Sequence, residues 1–229
     1  MEQLVGGLIL NTPPGTFPLS TDSILLSHFV RLGRQSKVLD LGSGCATLGI
    51  ALCAKSDTVS VTGVEIHSPS HRAALDNIHK NGLDSRLFSI CTDLRTVAQQ
   101  FPSGSFDICV SNPPYFSGGP ASQSNPQARH AEHFSPGELF AAAAWALRWG
   151  GDFYLVHKPE ALGQLCGCAA GSGLEPKQLC LVRHSPNKPI SLILLQCRKG
   201  AKPGLLMKEE CLFDESGKPT PFYREAYRL

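Results

Sequence analysis

No apolar run in this 229-residue chain approaches the roughly 20 residues of a membrane-spanning helix. The nearest, Leu139 to Leu147, is short and Ala-rich. The first residues lack a basic start followed by an apolar stretch, so no secretory signal is expected. Charge of one sign is scarce as well. With 21 Lys/Arg against 19 Asp/Glu the net charge is +2, which excludes a polybasic nucleic-acid binder. Internal repeats and low-complexity tracts are absent. Nine cysteines, an odd number, are scattered through apolar runs, as at Cys53, Cys91, Cys109 and Cys197. Free thiols in a reducing, cytoplasmic setting explain them better than a disulfide framework. Cys166-Gly167-Cys168 is half of a metal-site pattern, but no Cys/His cluster completes it, so no metal is expected.

What is present is a regular alternation of strand and helix signals. Residues 1–20 are rich in Gly and Pro and read as a loop or short hairpin. Thr21-Asp22-Ser23 precedes Ile24-Leu25-Leu26 and predicts a helix start. Strands are expected at Lys37–Leu41, Val59–Ile66, Arg86–Cys91, Phe106–Ser111 and Asp152–His157, with two more at Lys177–Arg183 and Ile190–Arg198. Helices are expected at Ala46–Lys55, Pro69–Asn81, Ser135 to Trp149 and Pro159–Ala170. This order predicts an α/β fold, a mostly parallel seven-stranded sheet with a C-terminal antiparallel hairpin. The chain reads as a single domain over 1–229, with a loop and helix over 1–36 and a peripheral tail over 200–229.

Three motifs fall at the carboxyl ends of the expected strands. In Asp40-Leu41-Gly42-Ser43-Gly44-Cys45-Ala46, a strand feeds a glycine turn that opens a helix. Gly42 and Gly44 let backbone approach a ligand with no Cβ in the way. Glu65 ends the next strand, 21 residues after Gly44, where a carboxylate can accept hydrogen bonds from ribose hydroxyls. Thr47 stands where a dinucleotide-binding turn wants Gly or Ala, which disfavours a nicotinamide cofactor. Thr92-Asp93-Leu94 follows the third strand. Asp93 there either bonds an adenine amine or simply caps a helix over Leu94–Gln100.

Asn112-Pro113-Pro114-Tyr115 ends the fourth strand. Pro-Pro alone can be a strand stop. That leaves the leading amide and closing aromatic unexplained. An exocyclic amine on adenine is a poor nucleophile, because its lone pair is delocalised into the ring. The Asn112 side-chain oxygen and the following backbone carbonyl can accept its two N–H bonds and stabilise the positive charge that develops on attack. Pro113 and Pro114 hold these acceptors rigid, and Tyr115 offers a ring face to an unstacked base. A cytosine methyltransferase with a cysteine nucleophile is disfavoured, since no Pro-Cys pair occurs in the chain.

With these motifs the chain resembles class I S-adenosylmethionine-dependent methyltransferases, specifically the amino-methyltransferases that carry Asn-Pro-Pro-Tyr. Thr21-Asp22, Ala128-Arg129-His130-x-Glu132, Val156-His157-Lys158-Pro159-Glu160, Leu174-Glu175-Pro176-Lys177 and Asp214-x-x-Gly217-Lys218-x-Thr220 resemble the bacterial valine-tRNA adenine-N(6) methyltransferase family. Pro18-Leu19-Ser20 stands where that family carries Lys-Val-Gly, and Cys45 where it carries a third glycine or similar small residue. The resemblance implies a Rossmann-like fold and S-adenosyl-L-methionine held by Asp22, Asp40, Gly42, Gly44, Glu65, Asp93, Leu94 and Asn112. It implies tRNA as substrate, with catalysis at Asn112, Pro113, Pro114 and Tyr115. Tyr115, Phe116, Arg129, Lys158, Arg183 and Lys188 are the candidate RNA contacts. The residues from Phe116 onward are the more basic part, with 13 Lys/Arg against 10 Asp/Glu.

Plainer readings accompany these. His157 can merely cap its strand, and Trp145 and Trp149, at helical spacing, read as core. Asn-Pro-Pro-Tyr is shared with protein-glutamine methyltransferases, so glutamine methylation of a translation factor is the rival activity. A catalytically idle scaffold subunit is the rival of another class; intact Asp40, Gly42, Gly44, Glu65, Asp93 and Asn112 argue against it.

Overall fold

The computed structural model describes residues 2–3, 8–16, 20–115 and 134–228. Strands β1 (Glu2–Gln3) and β2 (Ile9–Leu10) pair antiparallel, and helix α1 (Thr21–Phe29) follows. Then come β3 (Lys37–Leu41), α2 (Thr47–Lys55), β4 (Ser60–Glu65), α3 (Ser68–Lys80), β5 (Leu87–Cys91), α4 (Val97–Gln100) and β6 (Phe106–Ser111). The second half contributes α5 (Pro136–Ala146), β7 (Leu147–His157), α6 (Leu162–Gly171), β8 (Leu174–Arg183), β9 (Ile190–Lys199), β10 (Leu206–Cys211) and α7 (Pro221–Tyr227).

The main sheet runs β10-β8-β9-β7-β6-β3-β4-β5. Among the described residues of this sheet, only β9 is antiparallel to its neighbours, β7 and β8. From β3 the chain first steps outward through β4 and β5, then returns to lay β6 on the other side of β3. In such sheets the crevice outside the carboxyl ends at this reversal is the natural ligand site.

Two cores flank the sheet. Side chains alternate along each strand. Val38 therefore joins a core built with α1, α2, α3 and α7, while Leu39 and Leu41 join one built with α4, α5 and α6. Leu25, Leu52, Leu139 and Phe140 are fully buried, each worth about 1.5–3 kcal/mol in transfer from water. Ser135 starts α5 with a capping box, its hydroxyl accepting from the Glu138 N–H while the Glu138 carboxylate accepts from the Ser135 N–H.

Three expectations need correction. The sheet has eight strands, not seven, because the segment after Gly200 adds an edge strand: β10 pairs parallel with β8, and α7 packs on α1. The helix expected to reach Trp149 stops at Ala146, and β7 begins at Leu147. Leu147 pairs with Phe106 and the register then slips before Asp152 meets Ile108, so Gly150-Gly151 form a bulge inside a strand. Gly150 sits at φ 75°, and a Cβ on Gly151 would come within 2.9 Å of the Asp107 carbonyl oxygen. The tryptophans are therefore not core: Trp145 is 42% and Trp149 75% exposed, the latter lying across Gly200.

Candidate active site

At the carboxyl end of β3 the chain turns through Gly42 (φ 76°), Gly44 (φ 55°) and Ala46 (φ 67°) before α2. Among the described residues nothing lies within 4 Å of a Cβ built on either glycine, so their left-handed backbone accounts for the residue type. The Gly42 and Ser43 N–H groups both donate to the Val64 carbonyl at 3.0 Å, which ties the turn to the end of β4. Glu65 binds it further: Oε2 accepts from the Gly44 N–H at 2.8 Å and Oε1 from the His67 N–H at 2.7 Å. The carboxylate is thus fixed, with lone pairs left over.

Asp40 is buried beneath this turn, and among the described residues its Oδ2 has no hydrogen-bond partner. Burial, together with the Glu65 charge, pushes its carboxyl up to about 8. Such a group is stable when protonated or when a cation lies beside it. Cys45 carries its carbonyl on the buried Asn77, whose Nδ2 donates to it at 3.0 Å, while the Asn77 Oδ1 accepts from Asn11 N–H at 2.8 Å. Asn81 holds Ile9 in the same way, so the N-terminal segment is sewn across α3 toward the glycine turn. Sequence reading missed these anchoring roles; a polar Asn77 on the buried side of α3 was the available signal.

One strand away, Ser111 anchors the end of β6 by donating to the Leu41 carbonyl at 2.7 Å. Asn112 follows. Its Nδ2 donates to Ser23 Oγ at 2.9 Å and to Ser20 Oγ at 3.4 Å. The amide's donors are thus spent on the first turn of α1, and among the described residues no donor reaches its Oδ1. Ser20, one of the departures in the N-terminal segment, is also the N-cap of α1.

Tyr115 donates its hydroxyl to Asp22 Oδ2. The His157 ring meets it edge-on at 5.3 Å between centroids, and the Lys158 Nζ lies 4.9 Å over its face. Burial, and then the Asp22 bond and charge, raise the Tyr115 hydroxyl well above its usual range, so it stays a donor. His157 is buried and its imidazole is lowered by desolvation, which favours the neutral ring. His157 therefore packs against the motif rather than only ending a strand.

Asp93 follows β5 at the same edge. It caps the 3₁₀ turn Leu94–Thr96, and Arg95 grips its Oδ2 from Nε at 2.9 Å. Leu94 is buried in the core on the α5 face. Arg183 and Lys188 lie on the carboxyl edge too, but at β8 and its hairpin, three strand spacings or roughly 14 Å from β6. Arg183 is paired with Glu209 and donates to the Lys188 carbonyl at 2.8 Å. Phe116, Arg129, His130 and Glu132 lie outside the described residues, as do Pro18 and Leu19. Among the described residues no cluster of three His, Cys, Asp or Glu side chains is arranged to hold a metal ion, and all nine thiols are free.

Residues 19–163 match the methyltransferase small domain family. A tRNA1(Val) (adenine(37)-N6)-methyltransferase of Bacteroides fragilis is 31% identical over 174 residues, covering 75% of this chain and 73% of that one. The enzyme of that name from Photobacterium profundum is 27% identical over 205 residues, 87% and 85% of the two chains. Among solved structures, a predicted O-methyltransferase from Agrobacterium tumefaciens superposes with a TM-score of 0.77 at 19% identity, covering 91% of this chain and 96% of that one. That last likeness speaks for the fold alone. The family match spans the glycine turn, Glu65 and the Asn-Pro-Pro-Tyr corner together, and the chain accordingly belongs to the methyltransferase small domain family, in the group of the tRNA1(Val) (adenine(37)-N6)-methyltransferases.

Proposed function

We propose that this protein transfers a methyl group from S-adenosyl-L-methionine to the exocyclic N6 amine of an adenine in tRNA, at position 37 of a valine tRNA as in the relatives' names. The observation that carries the reading is Asn112: its amide is oriented by Ser20 and Ser23 so that the acceptor oxygen, not the donors, is left for a substrate amine.

The cofactor fits the residues present. It is cationic at its amino group, and the buried Asp40 Oδ2, without a partner among the described residues, supplies a matching charge. Its ribose suits Glu65, and its adenine suits Asp93 and Leu94 at the next strand end. Gly42 and Gly44 give the close approach, and Asp22 reaches the same edge through Tyr115. When bound, the cofactor supplies an activated methyl group on sulfur.

The chain's own residues do the rest. The Asn112 Oδ1 and the Pro113 carbonyl accept the two N–H bonds of the target amine. This pulls its lone pair out of ring conjugation and stabilises the ammonium that forms. Pro113 and Pro114 keep both acceptors at fixed separation. The Tyr115 ring, anchored through its hydroxyl, offers a surface for the extruded base, and Lys158 beside it suits the adjoining phosphate. Proton loss from the methylated nitrogen follows to solvent, since the methylated amine is a strong acid once positively charged. Arg129, Arg183, Lys188 and Phe116 extend the RNA contact.

The test is nucleoside mass spectrometry of tRNA from cells lacking the gene. Loss of N6-methyladenosine from a valine tRNA, restored by the wild-type gene and not by Asn112→Ala, is expected. An unchanged nucleoside profile refutes the reading.

A further inference from the structure

The first turn of α1 holds the Asn112 amide through Ser20 and Ser23, and the Tyr115 hydroxyl through Asp22. What holds that turn is the C-terminal segment. The Tyr227 hydroxyl on α7 donates to Thr21 Oγ1 at 3.1 Å, one residue from Asp22. At the other end of the same pair of helices, Phe222 is buried and meets the His28 ring edge-on at 5.5 Å. Helix α7 therefore grips α1 at both ends.

The grip has its own foundation. Tyr227 stacks on Tyr223 at 4.4 Å, and Tyr223 packs on Phe213 at 5.1 Å, which in turn meets His184 at 4.9 Å at the end of β8. Asp214 folds the intervening loop by accepting from the Ser216 and Lys218 N–H groups, and Thr220 caps α7 while donating to the Cys211 carbonyl. An aromatic row thus runs from the β8–β9 hairpin to the first turn of α1. Seven residues of helix alone bring too little hydrogen bonding to hold a position; the stacked rings and the buried Phe222 supply it.

We infer that the C-terminal segment is a strap that positions the catalytic Asn112 and Tyr115 from outside the site, with Tyr227 as its terminal positioning residue. The inference rests on the methyltransferase reading for its catalytic readout and on geometry alone for its structural one. Among the described residues no hydrogen bond or ring contact joins Tyr227 to either motif residue; it acts through Thr21 and the α1 turn. Loosening that turn frees the Asn112 amide to rotate and Tyr115 to swing, so turnover suffers, while the glycine turn and Glu65 keep their own anchors, the Val64 carbonyl and the Gly44 and His67 N–H groups.

The test uses the full-length chain with Tyr227→Ala, Tyr227→Phe, Thr21→Val and the Tyr227→Phe/Thr21→Val double variant. Tyr227→Ala is expected to lower kcat on tRNA about tenfold, since small misplacements of positioned groups are costly, with cofactor affinity and the KM for tRNA changed less than about threefold. The nitrogen-15 side-chain amide signal of Asn112 should shift or broaden in the same variant. Tyr227→Phe and Thr21→Val should each show a smaller loss, and the double variant no more than either alone, because both remove one shared bond. If Tyr227→Ala folds poorly, this second comparison decides. A folded Tyr227→Ala with unchanged kcat and an unchanged Asn112 signal overturns the strap, as do additive losses in the double variant. Wild-type protein that transfers nothing to tRNA overturns the functional reading instead, and the amide signal then still decides the strap.

Discussion

Asn112 illustrates how a residue type and its neighbours share a function. The motif alone calls for an amide at the end of β6. The orientation of that amide comes from hydroxyls about 90 positions earlier, Ser20 and Ser23, a contact that no local pattern reveals. Asn112→Ala should lower turnover by about 10²–10³, the range for losing one preorganised transition-state partner, and leave cofactor affinity nearly intact. Single-turnover rates and calorimetry check the two halves separately; wild-type turnover in the variant contradicts the assigned role. Asp40 carries a second expectation. Its carboxyl lies at about 8 in the fold against 3.8 as a free group, so between those values the folded chain holds a proton that the unfolded chain has lost. Stability therefore falls as pH rises through that window and levels off above about 8. A cation arriving beside Asp40 reverses the preference, so cofactor binding near pH 6.5 should release about one proton. Calorimetry in buffers of different ionisation enthalpy reads this, and Asp40→Asn should release none. Proton uptake would show that the amino group is held elsewhere.

Between β3 and β6, regular elements were legible because short apolar strands alternate with capped helices, and their ends agree with the structure to within two residues. The failures have physical causes. Ala142 to Trp149 is a helix-forming composition up to a point, but Leu147 is claimed by pairing with Phe106, and a bulge absorbs Gly150-Gly151. Strand β10 was missed because it is an edge strand with Leu206 and Met207 exposed, so it lacks the alternation that burial imprints. Two predictions belong here. Ser135→Ala removes the N-cap of α5 and should cost about 1 kcal/mol, seen as a drop in Tm of roughly 2–4 °C in a chain of this size; an unchanged Tm contradicts the capping role. Glu65→Ala removes the brace between the Gly44 and His67 N–H groups as well as the ribose partner. Charge-assisted hydrogen bonds are worth about 1.5–3 kcal/mol each, so cofactor affinity should fall at least tenfold. Titration showing unchanged affinity refutes both roles.

Across the whole molecule, the carboxyl edge gathers nearly every motif that the sequence singles out, from Asp93 through Glu65, the glycine turn and Asn112 to His157 and Lys158. That convergence was readable, because strand ends in a parallel sheet share one edge. The bracing from outside was not: α1 and the C-terminal segment reach the site through long-range contacts, Asn112 to Ser20 and Ser23, Tyr115 to Asp22 and Tyr227 to Thr21. With a net charge of +2, RNA affinity should be moderate and should weaken with salt in proportion to the few phosphates met. The choice of nucleophile is decided by following methyl transfer from labelled S-adenosyl-L-methionine into total tRNA and total protein extract side by side, with wild-type protein and Asn112→Ala. Label is predicted in N6-methyladenosine of tRNA with the wild type only; label in a protein glutamine, with none in tRNA, would contradict adenine as the target.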